Sequence, residues 1–215
     1  MLSLLAATLL TSLLWGMRHA TDPDHVVAVT TIVSRERSAW RAAAIGAQWG
    51  MGHTATVLAV GGAIILLRVA IQPRLGLVME FAVAIMLIAL GVLNMVGARS
   101  PGSAAGPSLS PALVGVVHGM AGSAAASVGV MALIPDPHWA MGGLAMFCLG
   151  TMLGMALVTA AIAAPAAYAG ARLVHLRRRV RFASGALSAA FGLYLAHQIG
   201  IVDGLFTATP QWTPQ

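Results

Sequence analysis

Lysine is missing from this 215-residue chain, so all 12 of its basic side chains are arginines. Acidic residues number only six, and charged residues make up 8% of the chain against 59% hydrophobic. Soluble domains carry about 25% charged residues. The balance here therefore excludes a soluble domain and describes a chain that crosses a membrane several times. Cysteine occurs once, at Cys148. That excludes an internal disulfide and a thiol–disulfide carrier, which needs a pair. Aromatics, at 6%, leave little lining for a haem pocket. A nucleotide-binding motif, the His-Glu-x-x-His of zinc proteases and the Gly-x-Ser-x-Gly of serine hydrolases are all absent. The first residues lack a basic stretch and a small-residue cleavage site, so no cleaved signal peptide is expected.

What is present is apolar sequence in long runs. A helix crosses the hydrocarbon core with about 20 apolar residues. Six segments are expected to do so: 4–33, 40–68, 78–98, 111–134, 139–169 and 180–202. The pI near 11.3 could suggest nucleic acid, but the arginines are distributed as a topology signal. Arg35, Arg37 and Arg41 flank the first loop, Arg99 opens the third, and Arg172, Arg177, Arg178, Arg179 and Arg181 fill the fifth. The positive-inside rule makes those loops cytoplasmic and turns both termini outward, in a multi-pass protein of the cytoplasmic membrane.

The hydrophilic stretch "ARSPGSAAGPSLSP" divides the chain. It predicts a first three-helix unit (1–98), a flexible linker (99–110), a second three-helix unit (111–203) and a short tail (204–215). The halves show weak internal similarity. His19 aligns with His118, Gly50 with Gly150 and Gly91 with Gly192, at spacings of 99, 100 and 101 residues. Three spans per unit would invert the second copy, the plan of many secondary transporters. The expected fold is an all-α integral membrane protein of six helices in two inverted three-helix repeats, with the first helix interrupted. Chance alignment of small residues is the competing explanation.

The interruption is expected within "RHATDPDHVV". Ionisable groups inside a span cost several kcal/mol each unless paired, hydrated or metal-bound. On a regular helix His19, Asp22 and His25 share an arc of roughly 120°. Pro23 breaks that regularity, and unwinding there would swing Asp24 toward His19 and His25. Imidazoles with carboxylates suit a divalent first-row metal; a water-lined crevice or a salt-bridged knot is the plainer alternative. Arg18 would serve as counter-charge to Asp22. In the second span, "GMGHT" places His53 between small residues, and Gly50 and Gly52 permit another helix to approach closely. Asn94 is either a carbonyl ligand or an interhelical hydrogen-bonding group, and His118 a residue of the second-half pathway. The candidate metal ligands are His19, Asp22, Asp24, His25, His53, Asn94 and His118. His138 and Asp136 read as turn residues, and Glu80 and Arg74 as interface charges.

"RHATDPDHVVAVTT" is similar to the His-x4-Asp-His signature of the nickel/cobalt transporter family, and "WGMGHTATVLAV" resembles that family's second motif. "HGMAGSAA" resembles its urease-accessory, nickel-permease-like branch. The resemblance implies secondary transport of Ni2+ or Co2+, most simply uptake, with His19, Asp24, His25 and His53 recognising the ion. It implies a transported ion rather than a permanently bound cofactor, and no enzymatic activity. It also implies nickel supply to urease or hydrogenase through maturation proteins inside the cell. Pro23 stands where the family signature usually has alanine. The Leu-Gly-x-Asp-Thr acids of larger members are absent, which leaves the direction of transport open. An exporter of the same fold and, on different chemistry, an intramembrane metalloenzyme are the alternative readings.

Overall fold

The computed structural model describes residues 2–34, 36, 38–68, 71–99, 109–120, 134–168 and 174–212. Every regular element among them is a helix. α1 spans Leu2–His19, α2 Pro23–Val33, α3 Ala39–Leu67, α4 Pro73–Arg99, α5 Pro111–His118, α6 Pro137–Tyr168 and α7 Val174–His197. A π-helical turn, Gln198–Val202, extends α7. Among the described residues, four stretches are long and apolar enough to cross a membrane: Ala39–Leu67, Pro73–Gly97, Pro137–Pro165 and Arg178–Val202. They coincide with the second, third, fifth and sixth expected spans.

The first expected span is two helices rather than one. α1 stops at His19, and Ala20–Asp22 form a turn closed by Thr21 N–H to the Arg18 carbonyl (2.8 Å) and Asp22 N–H to the His19 carbonyl (3.1 Å). The Thr21 hydroxyl donates to the same Arg18 carbonyl at 2.6 Å, occupying an acceptor that the broken helix no longer uses. Pro23 then opens α2 at its first position, where a missing N–H does no harm. Prolines open α4, α5 and α6 in the same way. Of the fourth expected span, α5 and the turn after His118 are described. Positions 121–133 lie outside the described residues, as do Arg35, Arg37, Arg172, Ser123 and most of the 99–110 linker.

α3 packs along α6 and α5, and α1 along α6; α4 pairs with α7. Short α2 touches α3, α4, α6 and α7, and so bridges the two groups. Glycines let these backbones meet. A Cβ on Gly16 would strike the Phe147 carbonyl, and one on Gly150 the Leu13 carbonyl, sealing α1 against α6. The α5–α3 contact repeats the arrangement, with Gly115 at the Trp49 carbonyl and Gly52 at the Ala112 carbonyl. Between α4 and α7, Gly91 meets the Gly185 carbonyl and Ala189, while Gly192 meets the Ala84 carbonyl and Ile88. Gly52, two residues beyond Gly50, thus takes the place that Gly150 has in the other contact. Gly50 itself faces Met152.

The chain end folds back on α4. Arg74 donates to the Thr207 carbonyl (3.0 Å) and the Trp212 indole N–H to Glu80 (2.8 Å). Trp212 packs on a cluster of Leu77, Ile199 and Leu205. Glu80 and Arg74, read as interface charges, hold this tail.

Candidate metal centre

The break between α1 and α2 presents two helix ends to the interior, and histidines stand on both. His19 ends α1, and His25 lies in the first turn of α2. His53 comes from the middle of α3, brought close because Gly52 and Gly115 seat α5 on that face. His118 ends α5. Their relative exposures are 3%, 0%, 1% and 0%, so all four rings are buried. The His25 ring centroid lies 4.6 Å from that of His19, 5.3 Å from His53 and 4.2 Å from His118.

The two carboxylates stand behind the imidazoles. Asp22 is the N-cap of α2, yet its side chain caps no backbone N–H. Its carboxylate is instead 2.8 Å from His19 Nδ1. Asp24 Oδ1 accepts from the His25 backbone N–H (2.9 Å) and faces His25 Nδ1 at 3.0 Å. Its Oδ2 is 2.9 Å from His118 Nε2. Ionised carboxylates only accept, so each facing ring nitrogen is the one that carries the proton. His19 and His25 are then Nδ1–H tautomers with a lone pair on Nε2. Those two Nε2 atoms, both nitrogens of His53 and Nδ1 of His118 are buried without a hydrogen-bond partner. A buried polar group left unpaired costs about 1–3 kcal/mol, so a cluster of them is a strong departure from ordinary packing.

One ligand atom from each of His19, His25 and His53 lies within 4.8 Å of the others. Asp24, His25 and His118 form a second such group. Ligand atoms bound at about 2.1 Å sit roughly 3.0–3.4 Å apart, so a small inward movement would complete either set. A carboxylate behind each ligating imidazole is how metal sites fix the tautomer and raise ligand basicity.

The arrangement differs from the sequence expectation at Asp24 and Arg18, and of the two roles expected for Asn94 it shows the interhelical hydrogen-bonding one. Asp24 lies on the far side of His25, between it and His118, and does not join a ring with His19. Arg18 is exposed, and Asp22 pairs with His19 instead. Asn94 belongs to another network, where its amide donates to Ser34 Oγ, Ser184 Oγ and the Arg181 carbonyl at 3.0–3.1 Å and accepts from Arg181 Nε. Ser34 follows the end of α2, nine residues from His25 and so about 13 Å along the helix. His138 and Asp136 do form a turn, His138 N–H donating to Asp136 Oδ1 at 2.8 Å.

Two walls of the cluster were not anticipated. Trp49 lies 5.4 Å from His25 and 5.5 Å from His118, and Phe147 lies 5.4 Å from His19, by ring centroids. Trp49 precedes His53 by one helical turn, a spacing that puts both on one face; that was the available signal. Trp49 joins Val114, Met155 and Leu87 in the main core, so the ring cluster is embedded in apolar packing.

No family model and no solved structure matches this chain. The urease accessory protein UreH of Bacillus sp. (strain TB-90) is 30% identical over 208 aligned positions, with 89% of this chain and 91% of that protein covered. On a likeness of that extent the chain belongs to the family of the urease accessory protein UreH.

Proposed function

We propose that this protein is a secondary transporter that takes up Ni2+, or Co2+, across the cytoplasmic membrane, with His19, His25 and His53 as its recognition site. The observation that carries the reading is the convergence of three buried imidazoles with unpartnered nitrogens at a helix break. Soft-to-borderline nitrogen donors suit nickel and cobalt rather than calcium or magnesium. Asp22 and Asp24 orient the rings, and their two negative charges offset those of the dication. Kinship with a urease accessory protein supports nickel as the cargo, because urease is a nickel enzyme and maturation proteins inside the cell would receive the ion.

Six spans in two inverted three-helix repeats are supported by the glycine contacts. Exchanging α1 with α5, and α3 with α6, turns the Gly16–Phe147 and Gly150–Leu13 contacts into Gly115–Trp49 and Gly52–Ala112. The same exchange of α4 with α7 turns Gly91–Gly185 into Gly192–Ala84. Units 1–98 and 111–203 would then be the two copies, with both termini outside by the arginine pattern. A dication entering the cell gains about 4.6 kcal/mol per 100 mV, twice the single-charge value, which drives uptake without ATP.

The test is accumulation of radioactive nickel and cobalt, at nanomolar metal, by cells lacking their own transporters. Wild type is compared with His19→Ala, His25→Ala and His53→Ala at matched expression. Uptake abolished by each change supports the reading. Lower accumulation with wild type than with the variants would reverse the direction to export. Equal accumulation in expressing and control cells would defeat it.

A further inference from the structure

His25 belongs to both groups of candidate ligands, and it faces them with different nitrogens. Its Nε2 is unpartnered among His19 and His53, while its Nδ1 meets Asp24. Asp24 in turn reaches His118 with its other oxygen. Beyond His118 Nε2 the ring ends in a second buried, unpartnered nitrogen, Nδ1. The Asp24–His25–His118 atoms are as close as those of the first group, all within 4.8 Å. They join α2 to α5, the helix that opens the second half of the chain.

We propose that His25 divides the centre into two subsites taken in turn by a single divalent ion: His19–His25–His53 through His25 Nε2, then Asp24–His25–His118 through His25 Nδ1. This rests on the transport reading above and adds His118 and the second half of the chain to the ion's path. The chemistry of imidazole makes the two subsites exclusive. A neutral ring has one lone pair and one N–H. An ion on Nε2 leaves Nδ1 protonated and bonded to Asp24, whereas an ion on Nδ1 requires the proton on Nε2. Holding ions on both would demand an imidazolate, a second proton lost.

The transfer conserves protons and charge, with water carrying each proton from one ring nitrogen to the other, since the two nitrogens of an imidazole point in opposite directions. As the ion moves, the His25 proton passes from Nδ1 to Nε2. The His118 proton leaves Nε2, which becomes a ligand, for Nδ1, which has no other partner. Asp24 exchanges two N–H donors for the ion. Proton count and charge are the same before and after.

The experiment uses the full chain, purified and then reconstituted in phosphatidylcholine vesicles, with nickel alone as the probe. Bound nickel per chain is measured at saturation, and flux into vesicles holding a chelating dye. Wild type should hold one nickel per chain. His118→Ala and His118→Gln should both still hold one, with affinity within roughly threefold of wild type, as for a site whose ligands are intact. Both should lose flux by roughly tenfold or more, as for loss of a group in direct contact with the ion. Two nickel ions per chain would overturn the alternation. Loss of all bound nickel in His118→Ala would overturn the separation into subsites. Full flux in His118→Gln, which keeps a donor toward Asp24, would reduce His118 to a positioning residue. Wild-type flux in His118→Ala would overturn this inference alone; a wild type that neither holds nor passes nickel would overturn the transport reading with it.

Discussion

Asp24 holds His25 and His118 together, one carboxylate oxygen 3.0 Å from Nδ1 of the first and the other 2.9 Å from Nε2 of the second. A single acid thereby links the first turn of α2 to the end of α5, although the two lie on opposite sides of the linker in sequence. The bond sets the tautomer of His25 and so decides which of its nitrogens is available.

Asp24→Asn keeps the shape and removes the charge. Its amide has one acceptor where the carboxylate had two, so it cannot accept from both rings at once. Nickel affinity should fall by about 10–100-fold, as for other partners that orient a ligand. His25→Ala, which removes the ligand itself, should abolish binding. Titration of the purified protein with nickel separates these, and equal loss in both variants would make Asp24 a direct ligand of the first subsite.

His53 has no hydrogen-bond partner on either nitrogen. His53→Leu should therefore stabilise the metal-free protein, by about 1–3 kcal/mol of relieved desolvation, while removing its response to nickel. The readout is Tm with and without the metal. A lower Tm in the metal-free variant would mean that the ring is held by contacts other than a metal's.

Gly115 and Gly142 differ in what a methyl group would meet. At Gly115 it would strike the Trp49 carbonyl, which is backbone and cannot step aside; at Gly142 it would find only Leu9 Cδ2, 3.8 Å away. Gly115→Ala should lose about 1–3 kcal/mol of stability, as overpacking does, and Gly142→Ala should stay within about 0.5 kcal/mol of wild type. Thermal unfolding in detergent gives both values. Equal effects would argue against the close α3–α5 contact.

Much of this was readable before any coordinates. A chain with so few charges had to be helical in lipid, and Pro23 beside a knot of ionisable groups marked where the first helix breaks. His19, His25 and His53 stood out because imidazoles are scarce and unwelcome in apolar spans. The pairing of acids with rings was not readable, because it depends on where α5 ends, and the α3–α5 seam decides that through Gly52 and Gly115. Asn94 could not be assigned for a similar reason: Ser34 follows α2 while Arg181 and Ser184 share one turn of α7, and only packing brings the two stretches to one amide. The sequence pairs Gly91 with Gly192 and Gly50 with Gly150, and that Gly52 rather than Gly50 meets a carbonyl appears only when the backbone opposite it is known.

The glycine–carbonyl contacts also restrict how the protein can move. Each seam is a row of notches, and sliding one helix past another by a residue would drive a side chain into a backbone oxygen. Lengthwise shear is thus closed to the α1–α3–α5–α6 group and to the α4–α7 pair, and each behaves as a stiff plate. Rocking of one plate against the other remains open. α2 touches both, and it carries Asp24 and His25. Any such tilt would be delivered directly to the residues proposed to hold the ion.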